Sequence, residues 1–135
     1  MSYSVFVSHS GDDTYVAEHL LRPKLATSGA RIFLDADRIK FGDDYRDIIF
    51  SELEQCDEVV ALFTVSALER PWVFAEIGAA IAHGKSIIAM RYGPSEGDLQ
   101  ERGVLSILGT KHLLPIDKLD NYVEQLSGRV EASRK

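Results

Sequence analysis

The residues able to do chemistry fall into two short stretches and one helix-spaced pair. Ser8-His9-Ser10-Gly11 sets two hydroxyls, an imidazole and a small residue directly behind an apolar run, and Thr64-Val65-Ser66 adds two hydroxyls behind another. Trp72 and Glu76 stand four residues apart, so on a helix they share one face. An aromatic plane beside a carboxylate suits a sugar or nucleotide, the ring stacking and the oxygens accepting from hydroxyls. Each residue also has a plainer role open to it. Glu76 could be an exposed acid in the first half of a helix, favoured by the dipole. Trp72 could be a partly buried packing residue, and His9 could bond a neighbouring backbone group. Ser8 and Ser10 are ordinary strand-to-helix residues, and Asp12 or Asp13 makes a good N-cap. His83 suits a helix C-terminus. Cys56, beside Asp57 and Glu58, lacks the positive surroundings a thiolate needs and reads as structural.

The elements that must position these residues follow from hydrophobic patterning. Four nearly continuous apolar runs, Val5–Val7, Ile32–Leu34, Val59–Phe63 and Ile87–Met90, and a weaker fifth, His112–Leu114, predict parallel strands covered on both faces. Helical periodicity lies between them over about 14–28, 45–55, 71–83 and 119–132. Pro23 predicts a kink or break in the first helix, Pro71 suits a first turn, and Ser66-Ala67-Leu68-Glu69 has the form of a capping box. The stretch 92–109, with its glycines, reads as a loop holding one short helix. This alternation predicts an α/β fold, a flavodoxin-like doubly wound five-stranded parallel sheet of order 2-1-3-4-5 flanked by helices. In that order the ligand crevice lies at the carboxyl ends of strands one and three, where the chemical residues converge.

Composition narrows the functions. The 135 residues, 45% hydrophobic and 27% charged, suffice for one domain with one core, spanning 1–135. A net charge of −6 argues against a grip on a nucleic-acid backbone. A single cysteine excludes an intrachain disulfide and, with four histidines, offers no Cys-rich metal framework. No apolar run approaches a membrane span and no signal peptide is evident, so the expectation is a cytoplasmic domain with neither resident metal nor cofactor. Phosphate-binding glycine loops, the nucleophile elbow and the H-E-x-x-H zinc motif are absent from the sequence. A phosphoacceptor receiver would need an aspartate at the end of strand three, where Leu62-Phe63-Thr64 stands instead.

Three ordered motifs resemble one family. Val5-Phe6-Val7-Ser8-His9-Ser10 is similar to the first box of TIR (Toll/interleukin-1 receptor) domains. Phe33-Leu34-Asp35, with Asp37-Arg38-Ile39-Lys40-Phe41-Gly42, resembles their second strand and the loop after it. Ser66-Ala67-Leu68 and Pro71-Trp72-Val73-Phe74-Ala75-Glu76 resemble the bacterial pattern around the family's glutamate, in a W-x-x-x-E spacing. The loop lacks the proline common in animal signalling members, and their Phe-Trp third box is missing; both differences point to the bacterial branch.

The resemblance implies an NAD+ glycohydrolase that splits the nicotinamide–ribose bond, giving ADP-ribose or a cyclic isomer, with Glu76 catalytic. Phe6, Ser8, His9, Ser10, Asp35, Arg38 and Trp72 become the candidate substrate-binding residues, and backbone amides after strand one are expected to meet the pyrophosphate. It also implies homotypic assembly with other TIR domains, a sensor or effector partner, and a place in bacterial antiphage signalling. The chain shows no sensor or oligomerisation module, which implies either excision from a longer protein or activation by a partner. The charged loop 35–47, with five aspartates, two arginines and a lysine, is the expected contact. Two alternatives stay open: a non-catalytic TIR–TIR interaction module, and a nucleoside deoxyribosyltransferase-like enzyme acting through the same glutamate.

Overall fold

The computed structural model describes residues 2–34, 45–108 and 113–135, with the backbone alone for Tyr45. Strands β1 (Ser4–Ser8), β2 (Arg31–Leu34), β3 (Glu58–Phe63), β4 (Ser86–Arg91) and β5 (Leu113–Pro115) form one sheet in the order β2-β1-β3-β4-β5. Every pairing is parallel. The expected order therefore holds, and with it the switch point between β1 and β3.

Helices cover both faces. Helix α1 (Thr14–Val16), a π-helical segment (Ala17–Leu21) and α2 (Arg22–Ala26) connect β1 to β2, and α3 (Tyr45–Gln55) precedes β3. A single turn, α4 (Val65–Leu68), leads into α5 (Pro71–Ala82). After β4 come α6 (Glu96–Glu101) and α7 (Val104–Leu108), and α8 (Leu119–Ser133) follows β5.

Alternation along each strand divides the core. Phe6, Phe33, Val59, Ala61, Phe63, Ile87 and Ala89 pack with Ile49 and Leu53 of α3 and Val73, Ile77 and Ala80 of α5. Val5, Val7, Leu34, Val60, Leu62, Ile88 and Met90 pack on the other face with Leu21, Leu25 and Tyr122, Leu126 and Val130 of α8. Double coverage is why the strands read as unbroken apolar runs. Among the described residues no helix is long and apolar enough to cross a membrane.

Four details depart from expectation. Pro23 does not break the first helix. The π-helical segment lies just upstream and contains His19, whose carbonyl an ordinary helix would press against the proline ring. The cap before α5 is Thr64, whose hydroxyl accepts from the Ala67 amide at 3.0 Å, rather than Ser66. Within the stretch 92–109, the described residues 92–108 hold two helices, α6 and α7, divided at Gly103, whose φ of +77° favours glycine. Residues 45–47 of the charged loop form the first turn of α3.

Candidate functional site

The central feature is a carboxylate inside the protein. Glu76 lies in the middle of α5 and is 0% exposed, which removes its reading as a surface acid. Ser8, the last residue of β1 and equally buried, donates its hydroxyl to Glu76 Oε1 at 2.7 Å across 68 residues of sequence. A buried carboxylate is costly unless it is hydrogen-bonded. The apolar side of α5 packs on the sheet through Val73, Ile77 and Ala80, and this carries Glu76 inward beneath the carboxyl end of β1. The pair occupies the position expected for a ligand crevice in this topology.

Beside it, the exits of β1 and β3 are tied together. Asp13 Oδ2 accepts the Ser10 hydroxyl at 2.7 Å and also the Thr64 hydroxyl. Ser10 Oγ lies 3.0 Å from Ser66 Oγ, and Ser66 donates to Asp12 Oδ2 at 2.9 Å. Arg70, the N-cap residue of α5, pairs with that same Asp12 oxygen at 2.6 Å. The Ser66 hydroxyl and then the Arg70 guanidinium hold the Asp12 carboxyl below its ordinary range. Neither aspartate caps a helix through its side chain, contrary to the sequence expectation. The Asp13 amide, one of the backbone groups after β1, donates to the Ser10 carbonyl at 3.0 Å.

The other sequence candidates divide. Trp72 is half-buried one turn before Glu76, its ring 5.6 Å from that of Phe50 on α3, so its packing role is realised on the face that also carries Glu76. Phe6 stacks on Phe33 at 5.4 Å within the core, two residues below Ser8 on the same side of β1. His9 is buried, with Nδ1 2.7 Å from the Ser10 carbonyl. That oxygen can only accept, so Nδ1 donates to it, and the plain role foreseen for His9 is met. Asp35 and Arg38 lie outside the described residues. The structure thus brings Ser8 and Glu76 together, with Ser10 and Trp72 beside them.

A second buried carboxylate was not singled out from sequence. Glu58 opens β3, at the opposite end of the sheet. It accepts from Tyr3 at 2.6 Å, from Tyr122 at 2.5 Å, and from Arg129 Nε and Nη2 at 2.8 and 3.0 Å. Burial pushes its pKa up, but Arg129 and the two phenols outweigh burial and hold it below the ordinary value. Burial, then the bond to Glu58, raises the Tyr3 phenol to about 12. The available signal was a charged residue at the head of an apolar strand, matched by Tyr122 and Arg129 two turns apart on one helix. Cys56 is buried and donates to the Leu53 carbonyl, and burial raises its thiol to about 11, which fits the structural role.

Comparisons with known proteins add to this geometry. A family model described as TIR domain matches residues 5–128. The chain is 33% identical over 98 residues to a probable 2′ cyclic ADP-D-ribose synthase, BdTIR, of Brachypodium distachyon. That match takes in 72% of this chain and 44% of the relative, so the chain spans less than half of the relative's length. Among solved structures, the TIR domain of the Toll-related receptor TRR-2 from Hydra magnipapillata superposes with a TM-score of 0.69 at 17% identity, covering 95% of this chain and 94% of that one. The CMP N-glycosidase BcmB of Clostridium botulinum superposes with a TM-score of 0.62 at 21% identity, covering 93% and 98%. At those identities the two structures speak for the fold alone.

Proposed function

The chain belongs to the TIR domain family, and from that premise we propose that it is an NAD+ glycohydrolase with Glu76 as its catalytic residue. One observation carries the reading: the glutamate of the W-x-x-x-E motif is fully buried and held against the carboxyl end of β1 by Ser8. The distant plant relative, a probable cyclic ADP-ribose synthase by name, supports NAD+ as the substrate.

The chemistry asks for such a group. Nicotinamide in NAD+ is a cationic leaving group, so the bond from ribose C1′ to the ring nitrogen breaks with its electron pair passing to nitrogen. Neutral nicotinamide departs and positive charge develops on the sugar, as in glycoside hydrolysis. A carboxylate in a water-poor site stabilises that charge far more than it would in water. The Ser8 hydroxyl orients the Glu76 oxygen without neutralising it. Water adding to C1′ and losing a proton gives ADP-ribose, and attack by a nucleophile of the same molecule gives a cyclic isomer. Trp72 would shape the nicotinamide–ribose pocket. Ser8, His9, Ser10, Asp35 and Arg38 stay candidate contacts by family pattern, with Phe6 beneath them.

Homotypic assembly would act as the switch, with loop 35–47 ordered against a neighbouring copy to restrict substrate motion and exclude water. A role in bacterial immune signalling rests on the same resemblance. The test is nicotinamide release from NAD+ by the purified chain, dilute and then tethered at high density. Release that rises with clustering is expected. No release in either state would leave a non-catalytic interaction module, whereas cleavage of CMP in place of NAD+ would point to a nucleoside-type N-glycosidase.

A further inference from the structure

We infer that Asp13 is a positioning residue for Glu76, joining through one carboxylate oxygen the two segments that the Ser8–Glu76 hydrogen bond spans; its catalytic consequence rests on the function proposed above. The ladder between β1 and β3 ends at the Ser8–Ala61 pair, so the chain beyond Ser8 leaves the sheet. What holds it there is Ser10, 2% exposed, whose hydroxyl donates to Asp13 Oδ2. On the other side, α5 is reached from β3 only through Thr64 and the single turn α4. Thr64, 8% exposed, caps that turn with its hydroxyl oxygen and donates its proton to the same Asp13 oxygen.

Asp13 therefore stands between β1's exit, two residues past Ser8, and the approach to the helix that carries Glu76. The neighbouring Asp12–Arg70 pair repeats the tie at the α5 N-cap, but it is solvent-exposed and therefore weak. Removing the Asp13 carboxylate takes from the buried Thr64 hydroxyl its acceptor and leaves the Ser10 hydroxyl only the longer contact to Ser66 Oγ at 3.0 Å, so the tie between the two segments is cut and they are free to shift. A misplacement of about 1 Å at a reacting carboxylate costs on the order of 100-fold in rate. Both bonds end on a single oxygen, so an asparagine amide oxygen can accept both. Geometry, and not charge, is the attribute at stake.

The experiment compares wild type, Asp13→Ala and Asp13→Asn in the clustered state. It reads kcat and KM for NAD+ cleavage, together with the emission and acrylamide quenching of Trp72, the chain's sole tryptophan, one turn before Glu76. Asp13→Ala is expected to lower kcat by at least about 10-fold with KM changed by less than about threefold, and to shift the native Trp72 signal. Asp13→Asn is expected to restore both. Wild-type kcat and Trp72 signal in a folded Asp13→Ala protein would overturn the inference, as would an Asp13→Asn variant as impaired as Asp13→Ala. Should Asp13→Ala fail to fold, Thr64→Val read against Thr64→Ser poses the same question with the same expected contrast. Absence of cleavage by wild type would sink the NAD+ reading, while the Trp72 signal would still decide whether Asp13 positions α5.

Discussion

Two buried glutamates sit at opposite ends of this sheet and are held in different ways. Glu58, at the amino end, is 2% exposed and receives four hydrogen bonds, two of them from a guanidinium. Glu76, near the carboxyl end, receives the hydroxyl of Ser8. The first arrangement opposes the carboxylate's charge with a fixed cation and uses it to fasten α8 to β3. The hydroxyl bond at the second ties the last residue of β1 to the middle of α5. Two acids equally hidden from solvent therefore differ in place: one fastens a helix at the amino end of the sheet, the other lies where this topology seats a ligand.

The largest test of that contrast replaces each glutamate with glutamine. Glu76→Gln keeps shape and hydrogen-bonding capacity, so the fold should persist while NAD+ cleavage falls about 100- to 1000-fold, as for loss of one transition-state electrostatic element. Activity within a factor of a few of wild type would break the assignment. Glu58→Gln should do the reverse. It should lower unfolding free energy by about 3 kcal/mol, the low end for breaking a buried pair because Arg129 is partly exposed, and leave turnover of the folded protein near wild type. Urea titration and kcat on the same samples separate the two effects.

Ser8→Ala removes the orienting hydroxyl and should cost about 10-fold in kcat, the scale of one hydrogen bond to a charged group. The smallest effect is on pH dependence. Glu58's folded pKa lies below the ordinary value of 4.5, so its contribution to stability is complete above about pH 4.5 and is lost as pH falls through the depressed value. Tyr3's folded pKa is raised from 10.0 to about 12, so its contribution is complete below pH 10 and lost as pH rises toward 12. Glu58→Gln should flatten both limbs of a stability–pH profile measured by urea denaturation. Unchanged limbs would show that other groups set them.

The frame of this molecule was legible because parallel strands covered on both faces must be apolar throughout, and β1 to β4 each agree with their runs to within a residue or so at either end. The crevice followed from strand order, which placed Ser8 and Glu76 near each other before any contact was known. The misses have local causes. Helices α6 and α7 are short and glycine-interrupted, so their periodicity is too brief to register, although the Ser95–Asp98 capping box was present to be read. The bond from Thr64 to Asp13 and those to Glu58 join residues 51 to 71 positions apart, and no local pattern encodes such pairs. Asp13 looked like a helix cap because aspartate just ahead of a helix usually is one. A tertiary acceptor role overrode that habit.

The edges of the sheet bear on how this protein behaves when it is crowded. On one side, β5 ends in Pro115, which has no amide hydrogen to offer an incoming strand. On the other, β2 opens with exposed, charged Arg31, which is paired with Glu52. A proline and a charged residue on the margins make poor templates for templated β-sheet growth. Dense arrays of the chain should therefore meet through side-chain surfaces, reversibly, and should dissolve on dilution instead of seeding fibrils.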